Sequence, residues 1–312
     1  MSRLNSLSAA ENKWGLSQLS TESKALCLLF IAIIIWGGNW PVMKTGLNHI
    51  TPLWFSMVRF ALGALTLFAF QIATKALYIP KKKDLPLILS IGVIQMMTFT
   101  VLGSVAMTQV DAGRSAVLAY TTTLWVLPLS VLFFREYLSQ KQLLGTLLGL
   151  IGVIVLFNPF TFDWSNRALV IANGFLLLGS LLWSLCILHL RCSKSGATAY
   201  QLAPWQMLAA TIPLTLLSYW IEGPFTGDGS VTFWKICLYL GPLATAFCFC
   251  VVNGVSKLLS GAFISTAMLG VPITGLLFSI IFLGEQLTMP LVAGTLLICT
   301  GIFVVIKSAK KQ

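Results

Sequence analysis

The sequence predicts an all-α polytopic membrane protein whose ten transmembrane helices form two inverted five-helix repeats. Three observations carry this expectation. Of 312 residues, 57% are apolar and 9% charged, with a mean hydropathy of +0.89; a water-soluble domain carries about 25% charged residues because its surface must be solvated. The apolar residues gather into ten runs on the scale of a bilayer core, which is ~30 Å thick and takes ~20 residues of helix. Finally, the second half of the chain repeats the first.

This composition excludes a cytosolic enzyme, a secreted disulfide scaffold and a nucleic-acid binder. The net charge of +11 does not restore nucleic acid as a partner, because Lys and Arg lie in short clusters between the apolar runs. Clusters so placed orient a protein in a lipid bilayer. The seven cysteines are odd in number and lie mostly within apolar runs. None has the C-x-x-C spacing or the neighbouring His pair that zinc requires, so reduced, packed thiols and no bound metal or cofactor are expected.

The spans are read at 25–46, 53–77, 85–107, 115–134, 143–157, 168–190, 201–221, 233–255, 262–283 and 289–306. A polar, Ser-rich segment, 1–24, precedes them and reads as a cytoplasmic tail; 307–312 forms a second short tail. With the N-terminus inside, fifteen Lys and Arg fall on the inner side and four, Lys44, Arg114, Arg167 and Lys235, on the outer, with Arg59 left inside a span. That bias predicts both termini in the cytoplasm of a cell whose inner or plasma membrane holds the protein.

The repeat joins 25–158 to 168–306. Residues 136–157 align without gaps to 285–306, with eight of 22 positions identical. Among them are Glu136/Glu285, Gly145/Gly294 and Gly152/Gly301, matches that hydropathy alone does not produce. Trp36 and Lys44 are echoed by Trp183 and Arg191, each pair eight residues apart. Five spans per repeat is an odd number, so the second copy enters the membrane upside down. Inverted repeats of this kind belong to secondary transporters, where a central site lies between two rocking halves; an inert duplicated scaffold is the alternative.

With these residues in view, the chain resembles the ten-helix EamA-type members of the drug/metabolite transporter superfamily. The likeness is carried by IIIWGGNWPVMK at 33–44, PLWFSMVRFALGAL at 52–65 and PITGLLFSIIFLGEQL at 272–287. SAVLAYTTTLWVLPLSVLFFREYL at 115–138 and APWQM at 203–207 look most like bacterial exporters of amino acids, of the cystine type. The resemblance implies a basket of eight helices around one central cavity, with the fifth and tenth helices outside it. Arg135 departs from the pattern by standing where Gly is common.

Arg59 is the sharpest signal, about six residues or roughly 9 Å into the second span. A charge there is costly unless it faces a partner or a wet cavity. Two readings are open: a cation that attracts the carboxylate of a substrate, or a structural ion that binds carbonyls or snorkels to the interface. Lys44 lies nearer the interface and reads as an anchor. Polar residues in apolar spans come next: Asn39, Gln95, Thr98, Tyr120, Thr121, Thr122, Thr123, Gln206 and Asn253. Each singly is a candidate for interhelical glue, whereas Asn39, Gln95, Tyr120 and Gln206 together suggest a cavity, with Gln206 opposite Arg59 across the repeat. Trp36 and Trp183 near mid-span could wall such a cavity; Trp205 joins the candidate substrate-binding set. Pro41, Pro128 and Pro272 mark expected bend points. Glu136 and Glu285 read as structural caps of the next helix.

The expected function is secondary transport of a small organic metabolite, an amino acid or a derivative, with export as the direction. A permease for drugs, nucleotide sugars or other metabolites is the alternative on the same fold. An intramembrane enzyme lacks H-E-x-x-H, G-x-S-x-G or paired mid-span Asp, so no catalytic residue is expected, and an ATP-driven pump lacks G-x-x-x-x-G-K-[ST]. Oligomeric state is not legible, and a monomer would suffice.

Overall fold

The computed structural model describes residues 21–135, 137–158, 160, 162–255, 258–259, 264 and 267–309, without the side chains of Thr123, Phe157, Asn253 and Ala309. Glu136 and most of the expected tail 1–24 therefore lie outside the described residues. Within them ten helical spans follow one another. They are α1 (Thr21–Gly46), α2 (Pro52–Ala73), α3 (Lys82–Met107), α4 (Ala112–Phe134), α5 (Gln140–Phe157), α6 (Arg167–Cys192) and α7 (Ala199–Glu222). α8 runs through Val231–Leu238, Tyr239–Phe247 and Cys248–Val255; α9 covers Gly270–Leu283 and α10 Met289–Ala309. Seven of the ten are long and apolar enough to cross a membrane; α5 and α9 are shorter apolar helices. Large apolar side chains stay exposed around the outside, among them Leu132, Leu216, Trp220, Phe282 and Leu296, as a lipid-facing surface requires.

Helix starts follow local chemistry. Ser139 accepts from the Gln142 N–H at 3.2 Å while Gln142 accepts from the Ser139 N–H at 2.8 Å. This reciprocal box satisfies two otherwise orphaned donors, and Thr198 with Gln201 repeats it on α7. Left-handed backbone ends several of the helices: Gly284 closes α9 at φ 67°, and Arg135 closes α4 at φ 54°. Arg135 thus takes the glycine's place in the turn despite the cost a Cβ brings there.

Pairing between the halves is antiparallel. On α5 and α10, Gly145 faces Gly301 and Gly152 faces Gly294, so rising numbers on one helix meet falling numbers on the other. α2 and α7 cross the same way. Glu222 takes the Leu53 and Trp54 N–H groups at 3.0 and 3.1 Å at one end, and Gln71 Nε2 donates to the Tyr200 carbonyl at 2.7 Å at the other. The repeats are inverted, and α5 with α10 packs against the rest through Leu124, Leu156, Ile298 and Ile302.

Two irregularities matter for the interior. α3 widens to π-helical turns over Ser90–Thr98 and α8 over Tyr239–Phe247, the same register as the Glu136/Glu285 repeat. The wider turn displaces carbonyls, and hydroxyls five residues on reclaim them: Thr98 Oγ1 donates to Val93 O and Thr245 Oγ1 to Leu240 O. π turns concentrate at functional sites. α4 is interrupted at Tyr120–Thr121, not at the expected Pro128, which lies inside the regular run Thr122–Phe134. Thr121 and Thr122 turn their hydroxyls back to the carbonyls of Leu118 and Ala119, and such back-bonding loosens the ladder. α1 is helical through Pro41, as α9 is through Pro272.

One end of the bundle is laced by carboxylates. The Glu285 carboxylate accepts the Ala112 and Gly113 N–H groups at 2.6 and 2.9 Å. The capped helix is therefore α4 of the other half rather than the following α10. Lys44 Nζ donates to the Met107 and Val110 carbonyls, and His49 pairs with Asp228 at 2.6 Å. Burial pushes the Glu285 carboxyl above the usual carboxylate range, against the pull of its two N–H donors and of Lys44, with Asp111 adding to the rise. A proton held more tightly in the folded state means that stability is greatest at low pH and falls as pH rises from the ordinary carboxylate pKa. Glu285→Gln should remove that contribution. Melting curves of both proteins in detergent from about pH 4 to 7 should show the wild type losing stability relative to the variant as pH rises; parallel curves would assign no such role to Glu285.

All seven cysteines are free. Cys186, Cys237 and Cys248 are buried, whereas Cys27 and Cys192 are exposed, so packing accounts for only part of the set.

Candidate functional site

Arg59 is the eighth residue of α2 and is only partly buried. Its Nε donates to Thr245 Oγ1 at 2.9 Å and its Nη1 to the Met43 sulfur at 3.1 Å. Tyr120, Tyr239 and Cys248 lie close enough to interact with its charge. Among the described residues no carboxylate lies within ion-pair distance of Arg59. A cation deep in a bundle, paired only with neutral groups, keeps most of its desolvation cost.

Span α1 supplies the facing wall. Asn39 Nδ2 donates to the same Met43 sulfur at 3.1 Å, one helical turn away. Asn39 is 7% exposed, and its Oδ1 is buried with no hydrogen-bond partner. Trp36 Nε1 donates to the Ala244 carbonyl at 2.7 Å, and the Tyr239 hydroxyl donates to Ile35 O at 2.6 Å. Tyr120, at the break in α4, packs against two apolar clusters and joins this wall to α4. Trp36, Asn39, Arg59 and Tyr120 are thus gathered around the π segment of α8.

The other four predicted residues are not part of that group. Trp183 meets Phe99 edge-on with ring centroids 4.7 Å apart; Phe99 in turn packs on the cluster containing Met43. Gln95 lies in the π segment of α3, partly exposed. Gln206 is 1% exposed with Oε1 unpartnered. Its backbone carbonyl lies against Gly92, as the Arg59 carbonyl lies against Gly241, so the two residues occupy matching places across the repeat. Trp205 is turned away: Nε1 donates to the Tyr78 carbonyl at 2.8 Å and the ring stands edge-on to Phe68. Thr123 and Asn253 have side chains outside the described residues.

Met43, Tyr239 and Thr245 complete the Arg59 environment and were not singled out by sequence. Met43 follows Asn39 by four positions, the spacing that shares a helix face, so that signal is present in the sequence. A separate recess of about 260 Å³ between α4, α5 and α6, lined by Thr121, Trp125 and Val153 among others, is almost wholly apolar. It offers a ligand no charge.

Comparison with known proteins decides the family. Residues 23–158 and 170–307 each match the EamA-like transporter family. The chain belongs to that family. An EamA-like transporter is a membrane transporter, which accords with the multi-span apolar helices. Relatives span nearly the whole chain. An uncharacterized transporter, YoaV, of Bacillus subtilis (strain 168) is 27% identical over 287 residues, covering 90% of this chain and 96% of its own. A probable amino-acid metabolite efflux pump of Salmonella typhimurium (strain LT2) is 26% identical over 290 residues, covering 89% and 93%. A probable terminal-alkyne amino-acid exporter of Streptantibioticus cattleyicolor is 24% identical over 272 residues, covering 84% and 86%. A solved crystal structure superimposes with a TM-score of 0.65 at 18% identity, covering 90% of this chain and 98% of its own, a likeness of fold.

Proposed function

We propose that this EamA-like transporter is a secondary carrier that exports a small carboxylate-bearing metabolite, an amino acid or a derivative, across the inner or plasma membrane by alternating access. The two halves, 25–158 and 168–306, are its rocking units, and both termini lie in the cytoplasm, as the Lys and Arg bias favours. One observation carries the substrate class: the Arg59 guanidinium meets a hydroxyl and a thioether where a carboxylate would bind more strongly. Charge-assisted guanidinium–carboxylate bonds are about twice as strong as neutral ones. The relatives named for amino-acid export support the same class.

Purified protein in proteoliposomes loaded with unlabelled L-leucine, L-threonine, L-cysteine or L-phenylalanine should take up the corresponding labelled amino acid by counterflow, and uptake should saturate. Unsaturable flux would indicate a channel instead. Counterflow with nucleotide sugars or cationic drugs, and with none of the amino acids, would transfer the assignment to the alternative permease.

A further inference from the structure

We propose that Asn39 is the specificity residue that reads the α-amino group of the substrate, and that the Met43 thioether holds the place its carboxylate takes. The proposal rests on the assignment of Arg59 as the carboxylate-binding cation.

The Met43 sulfur accepts from Arg59 Nη1 and from Asn39 Nδ2, both at 3.1 Å. A thioether is a weak acceptor, so two good donors, one of them charged, are poorly matched in this arrangement. A carboxylate oxygen in the sulfur's position accepts from both, with charge assistance from the guanidinium. Met43 is unbranched with three rotatable bonds, and because it is packed in the apolar cluster with Trp40 and Trp54 its thioether must be displaced for the carboxylate to enter.

The remaining atom of the Asn39 amide then becomes informative. Its Oδ1 is buried and without a partner, and burial of an unpaired acceptor is costly. In an α-amino acid the ammonium is carried on the carbon next to the carboxylate. With a carboxylate oxygen on Nδ2, the ammonium comes beside Oδ1 and supplies the missing donor. The amide's donor and acceptor thus match the substrate's carboxylate and ammonium as a pair. In this arrangement a neutral carbonyl takes the ammonium while a cation takes the carboxylate. Such a site suits a zwitterion. Trp36, Tyr120 and Tyr239 remain as walls for the substrate's side chain.

A site built around a hydrogen bond rejects an analogue that lacks the group and leaves the acceptor orphaned. The test compares binding of amino acids with their deaminated counterparts to purified wild-type protein: L-phenylalanine with 3-phenylpropanoate, and L-leucine with 4-methylpentanoate. The amino acid should bind about tenfold more tightly or better in each pair that binds. Asn39→Leu, which removes the acceptor, should collapse that ratio to near unity. Equal binding within the pairs by wild type, or a ratio unchanged in Asn39→Leu, overturns the proposal; the wild-type comparison decides alone if the leucine variant does not fold. Binding of both members that is unaffected by Arg59→Ala, or no binding of any carboxylate, would instead overturn the underlying assignment of Arg59.

Discussion

Arg59→Ala is expected to abolish amino-acid counterflow while the purified protein keeps its melting temperature within a few degrees. The two halves of this expectation come from the same geometry. A guanidinium that meets Thr245 Oγ1 and the Met43 sulfur, with no described carboxylate, recovers little of the solvation it gave up, so deleting it removes an unfavourable charge along with two hydrogen bonds. Function is different. If the substrate carboxylate replaces the thioether, the variant loses a charge-assisted interaction worth about 1.5–3 kcal/mol, roughly 10- to 150-fold in affinity, together with the attraction that draws an anion into the bundle. Arg59→Lys should fall between, because an ammonium keeps the charge but not the planar fork that reaches α1 and α8 at once. Collapse of folding in Arg59→Ala would make the residue a structural ion, the other reading open at the level of sequence.

Gly301→Leu should give the opposite signature: a large loss of stability from a position far from Arg59. A Cβ on Gly301 would lie 2.5 Å from the Gly145 carbonyl oxygen and 2.6 Å from the Gly149 nitrogen. Both are backbone atoms of α5, and no rotamer change can move them. α5 and α10 would have to separate, with loss of the contacts made by Ile298 and Ile302. Overpacking of this kind costs about 1–3 kcal/mol and occasionally more, and the backbone contact puts Gly301→Leu at the upper end. Gly152→Leu should behave alike, since its Cβ would meet Ile298 N at 2.7 Å. Thermal unfolding in detergent measures the loss, and a melting temperature equal to wild type would mean that the two helices do not pack so closely in the membrane.

The architecture was legible because its determinants are properties of the chain itself. Hydropathy marks the spans, and the gap-free match of 136–157 to 285–306 requires five spans per copy and hence inversion. Even the paired glycines were visible, although their partners were not: Gly145 meets Gly301, not its repeat mate Gly294. The candidate site was legible in part. Trp36, Asn39 and Arg59 are aromatic, polar or charged residues inside apolar spans, and the fold brings them together. Trp205 and Gln206 are sequence neighbours, yet adjacent residues on a helix point about 100° apart: the Trp205 ring faces Phe68 while Gln206 is buried with its Oε1 unpartnered. Tyr239 and Thr245 escaped notice because a π turn leaves no trace in hydropathy. Glu285 was recognised as a cap, but its helix lies across the fold, where sequence distance gives no guide.

The crossed glycines have a consequence for how the chain can change. Each half lays its bare backbone groove against the other, so a lone five-helix piece would present an unfilled trough to the surrounding lipid. A bulkier residue at 301 meets the bare backbone of Gly145 and Gly149, on the far side of the duplication, where no smaller residue exists to answer it. The two units, alike as they are, have become obligate companions, each holding the other to glycine along the seam.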